Sequence, residues 1–161
     1  MTDRITIEVN DREINARLDE IMRRIGDPSG ALDAIGETIT EQTKQHFAAS
    51  TAPDGSRWKP IAPATVLSRL NEIGRSAGRS MKPLIDSGIL QDTIHHQLTT
   101  DRMGVEIGTN RFSGEWEGGA AVHQFGSRNG KIPARPFLGL SESDKTAVLD
   151  ILDNYLRQAL D

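Results

Sequence analysis

Hydrophobic residues follow helical spacing in the first third of the chain. From Asp11 to Ile25 an apolar residue recurs every three or four positions, and Asn10 or Asp11 is suited to cap this helix. Ser29 is suited to cap a second helix in which the same spacing continues to Phe47. Because only a short turn joins the two segments, the pattern predicts a helical hairpin with its apolar faces turned inward.

The C-terminal segment contains the clearest helix. Ser141 or Ser143 caps it, and charged residues such as Asp144 are expected to lie outside its apolar face. The apolar stripe consists of Val148, Leu152, Tyr155, Leu156 and Leu160.

Period-two alternation marks three short stretches as strands. Ile5–Val9 alternates apolar and polar residues, and so do the residues from Ile94 to Leu98. Val105 and Ile107 alternate again after a polar turn, so the last two stretches predict an antiparallel hairpin.

Three shorter helices are predicted between the long ones. One runs from Pro63 to Leu70, one is capped by Asp86 or Ser87, and one spans Trp116–Phe125. The apolar side of the first consists of Val66, Leu67 and Leu70. Residues 52–63 are expected to be irregular because of their prolines and turn residues, and residues 71–82 are expected to form a mobile loop.

These elements predict one α+β domain over residues 1–161. The N-terminal helical hairpin and the C-terminal helix are expected to pack on a small, mainly antiparallel sheet, with long loops between the elements. A length of 161 residues suits a single domain of this kind.

Charge and composition limit the function. The chain has 23 acidic and 19 basic residues, so a general grip on nucleic acid through excess positive charge is not supported. A local basic patch at Arg69, Arg75, Arg79 and Lys82 is possible, although a solvated loop is the favoured interpretation. No run of about 20 apolar residues and no secretory signal pattern is present, so we expect a cytoplasm-like setting without membrane insertion.

No pattern of catalytic or metal-binding residues stands out. The chain has no cysteine, no phosphate-binding loop and no dinucleotide-binding turn, so we expect no cofactor. His95 and His96 are adjacent on a predicted strand and point to opposite faces, which prevents them from chelating one ion. Ser87 lacks the surroundings of a hydrolase nucleophile.

His123 raises the question of catalysis most directly. It lies in the stretch AVHQFGSRNGKIPARPFL at residues 121–138, without an acidic residue beside it. We expect its ring to bond a backbone carbonyl rather than act as a general base, while a small hydrolase or nuclease using His123 remains the alternative. The prolines predict a stiff extended arm after an exposed GSRNG hinge, and Arg135 is a candidate partner for a carboxylate of another subunit.

Trp58 is the one large side chain of residues 52–63. We expect it to pin this irregular segment to the domain by burying its ring while its N–H finds a carbonyl. An exposed stacking role is the alternative.

Four motifs, taken in order, resemble the phage virion morphogenesis family, which includes tail-completion proteins of the head–tail junction. They are PDGSRWKPIAPAT at 53–65, PLIDSGILQDTI at 83–94, VHQFG at 122–126 and IPARPFLGLS at 132–141. The resemblance covers almost the whole chain. Each motif alone is weak, and the ordered set is specific.

The resemblance implies a structural virion protein that is not an enzyme. It implies a homo-oligomeric ring, expected to be a hexamer, that completes or terminates the tail and joins it to the capsid neck. The partners would be the tail tube protein and the neck or connector proteins, with assembly in the host cytoplasm and DNA passing through an acidic lumen without specific binding. The candidates for subunit or partner contact are Trp58, His123, Gln124, Phe125, Arg135, Phe137 and Leu138.

Overall fold

The computed structural model describes residues 6–72, 80–109 and 119–160, and these form an α+β fold. The helices are α1 (Arg12–Arg24), α2 (Ser29–Ala49), α3 (Pro63–Glu72), α4 (Ile89–Asp92), α5 (Gly119–Phe125) and α6 (Glu142–Gln158). The strands are β1 (Ile94–Leu98) and β2 (Val105–Thr109). The predicted α+β class is confirmed.

Both helices of the predicted hairpin and the antiparallel strand pair are present, but α1 packs mainly on α6 rather than on α2. Of the long helices it is α2 that packs on the strands, and α6 lies against α1 and α2 instead of on the sheet as predicted. Asp11 caps α1 by accepting hydrogen bonds from the amides of Glu13 and Ile14, at 2.9 and 3.2 Å. β1 pairs with β2 in the register that places Ile94 opposite Thr109 and Leu98 opposite Val105.

Two predicted helix starts differ from the structure, and a third agrees with it. Ser29 is the first residue of α2 rather than its cap, and its amide donates to Oδ1 of Asp27 at 2.9 Å. Neither Asp86 nor Ser87 caps α4, because Gly88 holds that position with a left-handed backbone that favours glycine. Ser141 does cap α6, and Asp144, predicted to lie outside the apolar face, is buried with its carboxylate accepting a hydrogen bond from the Ser141 amide.

The predicted strand at Ile5–Val9 is not formed over its described part. Thr6–Val9 has no regular secondary structure, because it pairs with no other strand in the described chain. Ile5, the centre of the 71–82 loop at 73–79, and the start of the predicted 116–125 helix lie outside the described residues.

The buried side chains form two clusters that meet at the strand pair. One lies between α1, α2 and α6 and includes Ile21, Ile35 and Leu152. The other gathers Phe47 of α2 with the irregular segments before α3 and before α6, so it fixes two stretches that have no secondary structure of their own.

A glycine permits the close contact between α2 and the strands. A Cβ atom on Gly36 would lie 2.4 Å from Cδ2 of His96 and 2.8 Å from Cγ2 of Val105. The strand pair therefore approaches α2 more closely than any side chain at position 36 would allow.

α3 packs differently from its prediction. Leu67 and Leu70, expected on its inner side, are 61% and 51% exposed, whereas Arg69 is buried. None of the helices that the structure describes has the length and apolar character needed to cross a bilayer.

Candidate functional site

The candidate site is a pair of irregular segments that hold one another. We call Pro53–Pro60 the tryptophan loop and Ile132–Leu140 the arm. Pro60 and the arm prolines prevent these segments from continuing a helix or a central strand, so side chains supply hydrogen bonds that fix them in addition to a few backbone bonds.

Trp58 joins the tryptophan loop to the arm. Its side chain is buried, and Nε1 donates a hydrogen bond to the carbonyl oxygen of Pro136 at 2.7 Å. Its ring meets the ring of Phe47 edge-on with centroids 5.4 Å apart, and Phe137 packs on Phe47 at the same distance. The prediction that Trp58 pins this segment to the domain is confirmed.

Arg135 forms a second connection between the arm and the tryptophan loop. Its guanidinium donates from Nε to the carbonyl of Lys59 at 2.7 Å and from Nη2 to the carbonyl of Pro60 at 2.8 Å. The residue is 8% exposed, and burial together with the charge of Arg69 lowers its pKa below the usual arginine value. The predicted contact with a carboxylate of another subunit stays a prediction, since Arg135 here binds its own tryptophan loop.

Gln124 holds the other end of the arm. Its Oε1 accepts hydrogen bonds from the amides of Phe137 and Leu138, both at 3.0 Å, and its Nε2 donates to the Leu138 carbonyl at 3.0 Å. One buried amide side chain thus replaces a strand partner for two consecutive residues.

His123 contributes its backbone rather than its ring. Its carbonyl accepts a hydrogen bond from the Arg135 amide at 2.7 Å, while Nδ1 of the ring is buried without a hydrogen-bond partner in the described part of the chain. Nδ1 therefore does not make the predicted hydrogen bond to a backbone carbonyl. Burial and the nearby charge of Arg135 lower the pKa of His123, which favours the neutral imidazole.

A tight turn connects α5 to the arm at the predicted GSRNG hinge. The Ser127 amide donates to the Ile132 carbonyl at 2.9 Å, and the Ile132 amide donates back to the Ser127 hydroxyl at 2.8 Å. At Gly126 the backbone φ is +82°, and an added Cβ would lie 3.0 Å from the amide nitrogen of Ala134. Glycine is needed here for both reasons.

The seven candidate contact residues do not share one surface. Trp58, Gln124, Arg135, Phe137 and Leu138 are buried, and His123 is half-buried. Phe125 is 63% exposed at the end of α5. Of the seven, Phe125 is thus the one largely exposed side chain.

Arg69 was expected in a solvated loop, but it is a buried residue of α3. It is buried, and Nη1 donates to the carbonyls of Ser80, Lys82 and Ile85, with distances of 3.3 and 3.1 Å for the last two. Its Nε lies 3.7 Å from Oδ1 of Asp86. A charged residue in a polar stretch is usually solvated, so nothing in the sequence signalled this burial. Arg75 and Arg79 of the predicted patch lie outside the described residues.

The adjacent histidines of β1 do point to different partners. Nε2 of His96 lies 2.9 Å from Oδ1 of Asp33, and Nδ1 of His95 lies 2.9 Å from the Thr93 carbonyl. Within residues 6–72, 80–109 and 119–160, no group of three or more histidine or acidic side chains is placed to hold a metal ion.

A family model and one curated relative match this chain. The model described as the phage virion morphogenesis family matches residues 9–157. The chain belongs to the phage virion morphogenesis family. A relative named Mu-like prophage FluMu G protein 2, from Haemophilus influenzae, is 26% identical over 159 residues, which cover 95% of this chain and 96% of the relative. A comparison with solved structures finds no match.

Membership of the phage virion morphogenesis family confirms the resemblance seen in the four motifs. It identifies the chain as a structural protein of phage virions and points away from a catalytic role. The motif residues accordingly bond to one another. The motif around Trp58 bonds to Arg135 and Pro136 of the arm, and Gln124 of the VHQFG motif bonds to Phe137 of the arm.

Proposed function

We propose that copies of this protein form a ring at the head–tail junction, where the ring completes or terminates the tail and joins it to the neck of the capsid. Six copies is the expected number. The tail tube protein lies on one side of the ring and the neck or connector proteins on the other. Family membership supports a virion role, and the geometry of Phe125 supports a contact with a neighbouring protein.

The observation that carries the proposal is the exposed ring of Phe125 on a rigid base. The residue before it is fixed by three hydrogen bonds to the arm, and the residue after it, Gly126, donates its amide to the Val122 carbonyl at 2.7 Å. Covering a large aromatic side chain that is 63% exposed contributes favourable binding free energy. Little conformational entropy is lost on binding, because the backbone around it is already ordered.

A ring of identical copies uses a heterologous contact that closes by rotation. Phe125 would supply one side of that contact or would dock on the tail tube. The formal net charge of −4 suits a ring around DNA, because carboxylates repel phosphates and DNA then slides through without adhering.

The alternative of a small hydrolase or nuclease gains no support from the site. The His123 ring has no carboxylate partner among the described residues, and its Nδ1 is buried. A general base needs an orienting acceptor and access to substrate.

The experiment compares Phe125→Ser with Leu160→Ser in a phage whose own copy of the gene is removed. Leu160 is a matched control because it is also apolar and 59% exposed, at the end of the chain far from the arm in sequence. We expect both variants to fold and only Phe125→Ser to give free heads and tails in electron micrographs, with a lower oligomeric mass. A Phe125→Ser variant that joins heads to tails as well as the control does would overturn the role given to Phe125. A wild-type protein absent from the junction in labelled particles would overturn the proposed function.

A further inference from the structure

The outer edge of β2 has no strand partner in the described part of the chain. The Thr99 amide donates to the Gly104 carbonyl at 2.9 Å, so this pair is a hydrogen-bonded pair of the ladder. Bonded and non-bonded pairs alternate along an antiparallel ladder, and the register then directs the backbone N–H and C=O groups of Val105 and Ile107 away from β1. Such an edge accepts another strand.

The segment Thr6–Val9 has the sequence pattern of a strand that could pair with such an edge. Its sequence alternates as a strand does, yet none of its backbone groups forms a hydrogen bond in the described part of the chain. Its apolar side chains are also poorly covered, since Ile7 is 42% and Val9 49% exposed. Both features would be explained by a strand that lacks its partner in the isolated chain.

A cavity of about 800 Å³ separates this segment from β2. Thr6–Val9 forms part of one wall and Gly104–Thr109 forms part of another, while Leu18, Leu32 and Ile35 supply apolar surface between them. A strand paired with β2 would direct alternate side chains toward that apolar surface, which is the spacing of Ile7 and Val9.

The segment is anchored to the fold at its C-terminal end. One residue, Asn10, separates Val9 from Asp11, and Asp11 is fixed by the start of α1 and by Nζ of Lys145, which lies 3.0 Å from its Oδ2. The segment therefore leaves the fold at a fixed point and lies across the cavity from β2 without pairing to it.

We propose that Thr6–Val9 of one copy adds as a strand to the β2 edge of the next copy. This inference rests on the proposed ring and names a contact that would build it. Each copy would give one segment and receive one, as a heterologous closed ring requires. Ile7 and Val9 would fill the cavity of the neighbour, and Thr6 and Glu8 would face water.

Cysteine crosslinking tests the exchange directly, because the natural chain contains no cysteine. Glu8→Cys and Glu106→Cys are prepared as separate proteins, mixed and treated with a short bismaleimide, both as purified protein and in assembled particles. We expect a crosslinked dimer that contains one copy of each, and a ladder of oligomers from the double variant. A double variant crosslinked only within single chains would overturn the exchange, and so would the lack of any crosslink.

A matched pair of substitutions tests the predicted alternation. Ile7→Asp removes an apolar side chain that would enter the neighbour, whereas Thr6→Asp changes the side that would face water. We expect self-association to be weaker by on the order of tenfold to hundredfold for Ile7→Asp, and unchanged within a factor of about two for Thr6→Asp. Equal effects of the two changes would overturn the proposed strand.

The outcomes also separate this inference from the proposed function. If the protein forms rings and joins heads to tails but gives no crosslink, the proposed function stands and the strand exchange is overturned. If the protein stays monomeric and is absent from the junction, both the proposed function and the strand exchange are overturned.

Discussion

Trp58 and Pro136 are 78 positions apart in the chain, and the indole of Trp58 donates its hydrogen bond to the Pro136 carbonyl at 2.7 Å. Proline has no amide hydrogen, so its carbonyl is the only backbone group through which Pro136 can be tied to the tryptophan loop. The bond therefore ties the arm to the tryptophan loop.

Replacing Trp58 separates the contribution of the hydrogen bond from that of the ring. Trp58→Phe keeps an aromatic ring against Phe47 but leaves the Pro136 carbonyl without its donor, so we expect a loss of about 1–3 kcal/mol in the free energy of unfolding. Trp58→Ala also empties the space beside Phe47 and should cost about 3–5 kcal/mol. Urea unfolding followed by circular dichroism measures both, and equal stability of the Phe variant and the natural protein would contradict the role of this bond.

Gln124→Leu tests whether one side chain holds the arm. Leucine fills a similar volume but leaves two buried amides and one carbonyl of Phe137 and Leu138 unpaired, so we expect a loss of more than about 3 kcal/mol. Gln97→Leu is the control, because Gln97 is exposed and its change should stay within about 0.5 kcal/mol. Similar thermal unfolding midpoints for the two variants would count against the arrangement.

Gly36→Ala tests the contact between α2 and the strands. Alanine favours a helix, by about 1 kcal/mol over glycine. Its methyl group would nevertheless lie 2.4 Å from His96 Cδ2, so we expect a net loss of about 1–3 kcal/mol. Gly108→Ala is the matched control, since no described atom lies within 4 Å of its added Cβ. Thermal unfolding compares the two, and a stabilised Gly36→Ala protein would refute the close packing.

Acidification should weaken the fold through His123. The pKa of this histidine is lowered in the folded protein by burial and by Arg135, so the folded state resists protonation more than the unfolded chain does. This contribution to stability is complete above the unfolded value of 6.5 and is lost as the pH falls from there through the lowered folded value. Urea unfolding should be measured between about pH 7 and about pH 5, a range that spans the usual histidine pKa. The free energy of unfolding should decline over this range, and the decline should be smaller in His123→Gln. An identical decline in both proteins would assign the effect to other groups.

The elements with a clear period could be predicted from the sequence. α1, α2, α6 and the antiparallel strands follow patterns in which each residue's position depends on neighbours a few residues away, and Asp11 and Ser141 act as local caps. The tertiary structure was needed for Thr6–Val9, which has the pattern of a strand but no partner within the described chain.

The candidate site was predictable only in part. The Trp58 anchor could be foreseen, because an indole needs both a buried surface and one acceptor. The burial of Arg69 and Arg135 could not, because each guanidinium is buried where carbonyls from another segment of the chain converge on it. The sequence by itself determined the periodic elements and the family motifs, since these depend on local spacing. Only the tertiary structure decided which motif residues bind one another and that Phe125 alone among the candidate contact residues is largely exposed, because these depend on contacts between positions far apart in the chain.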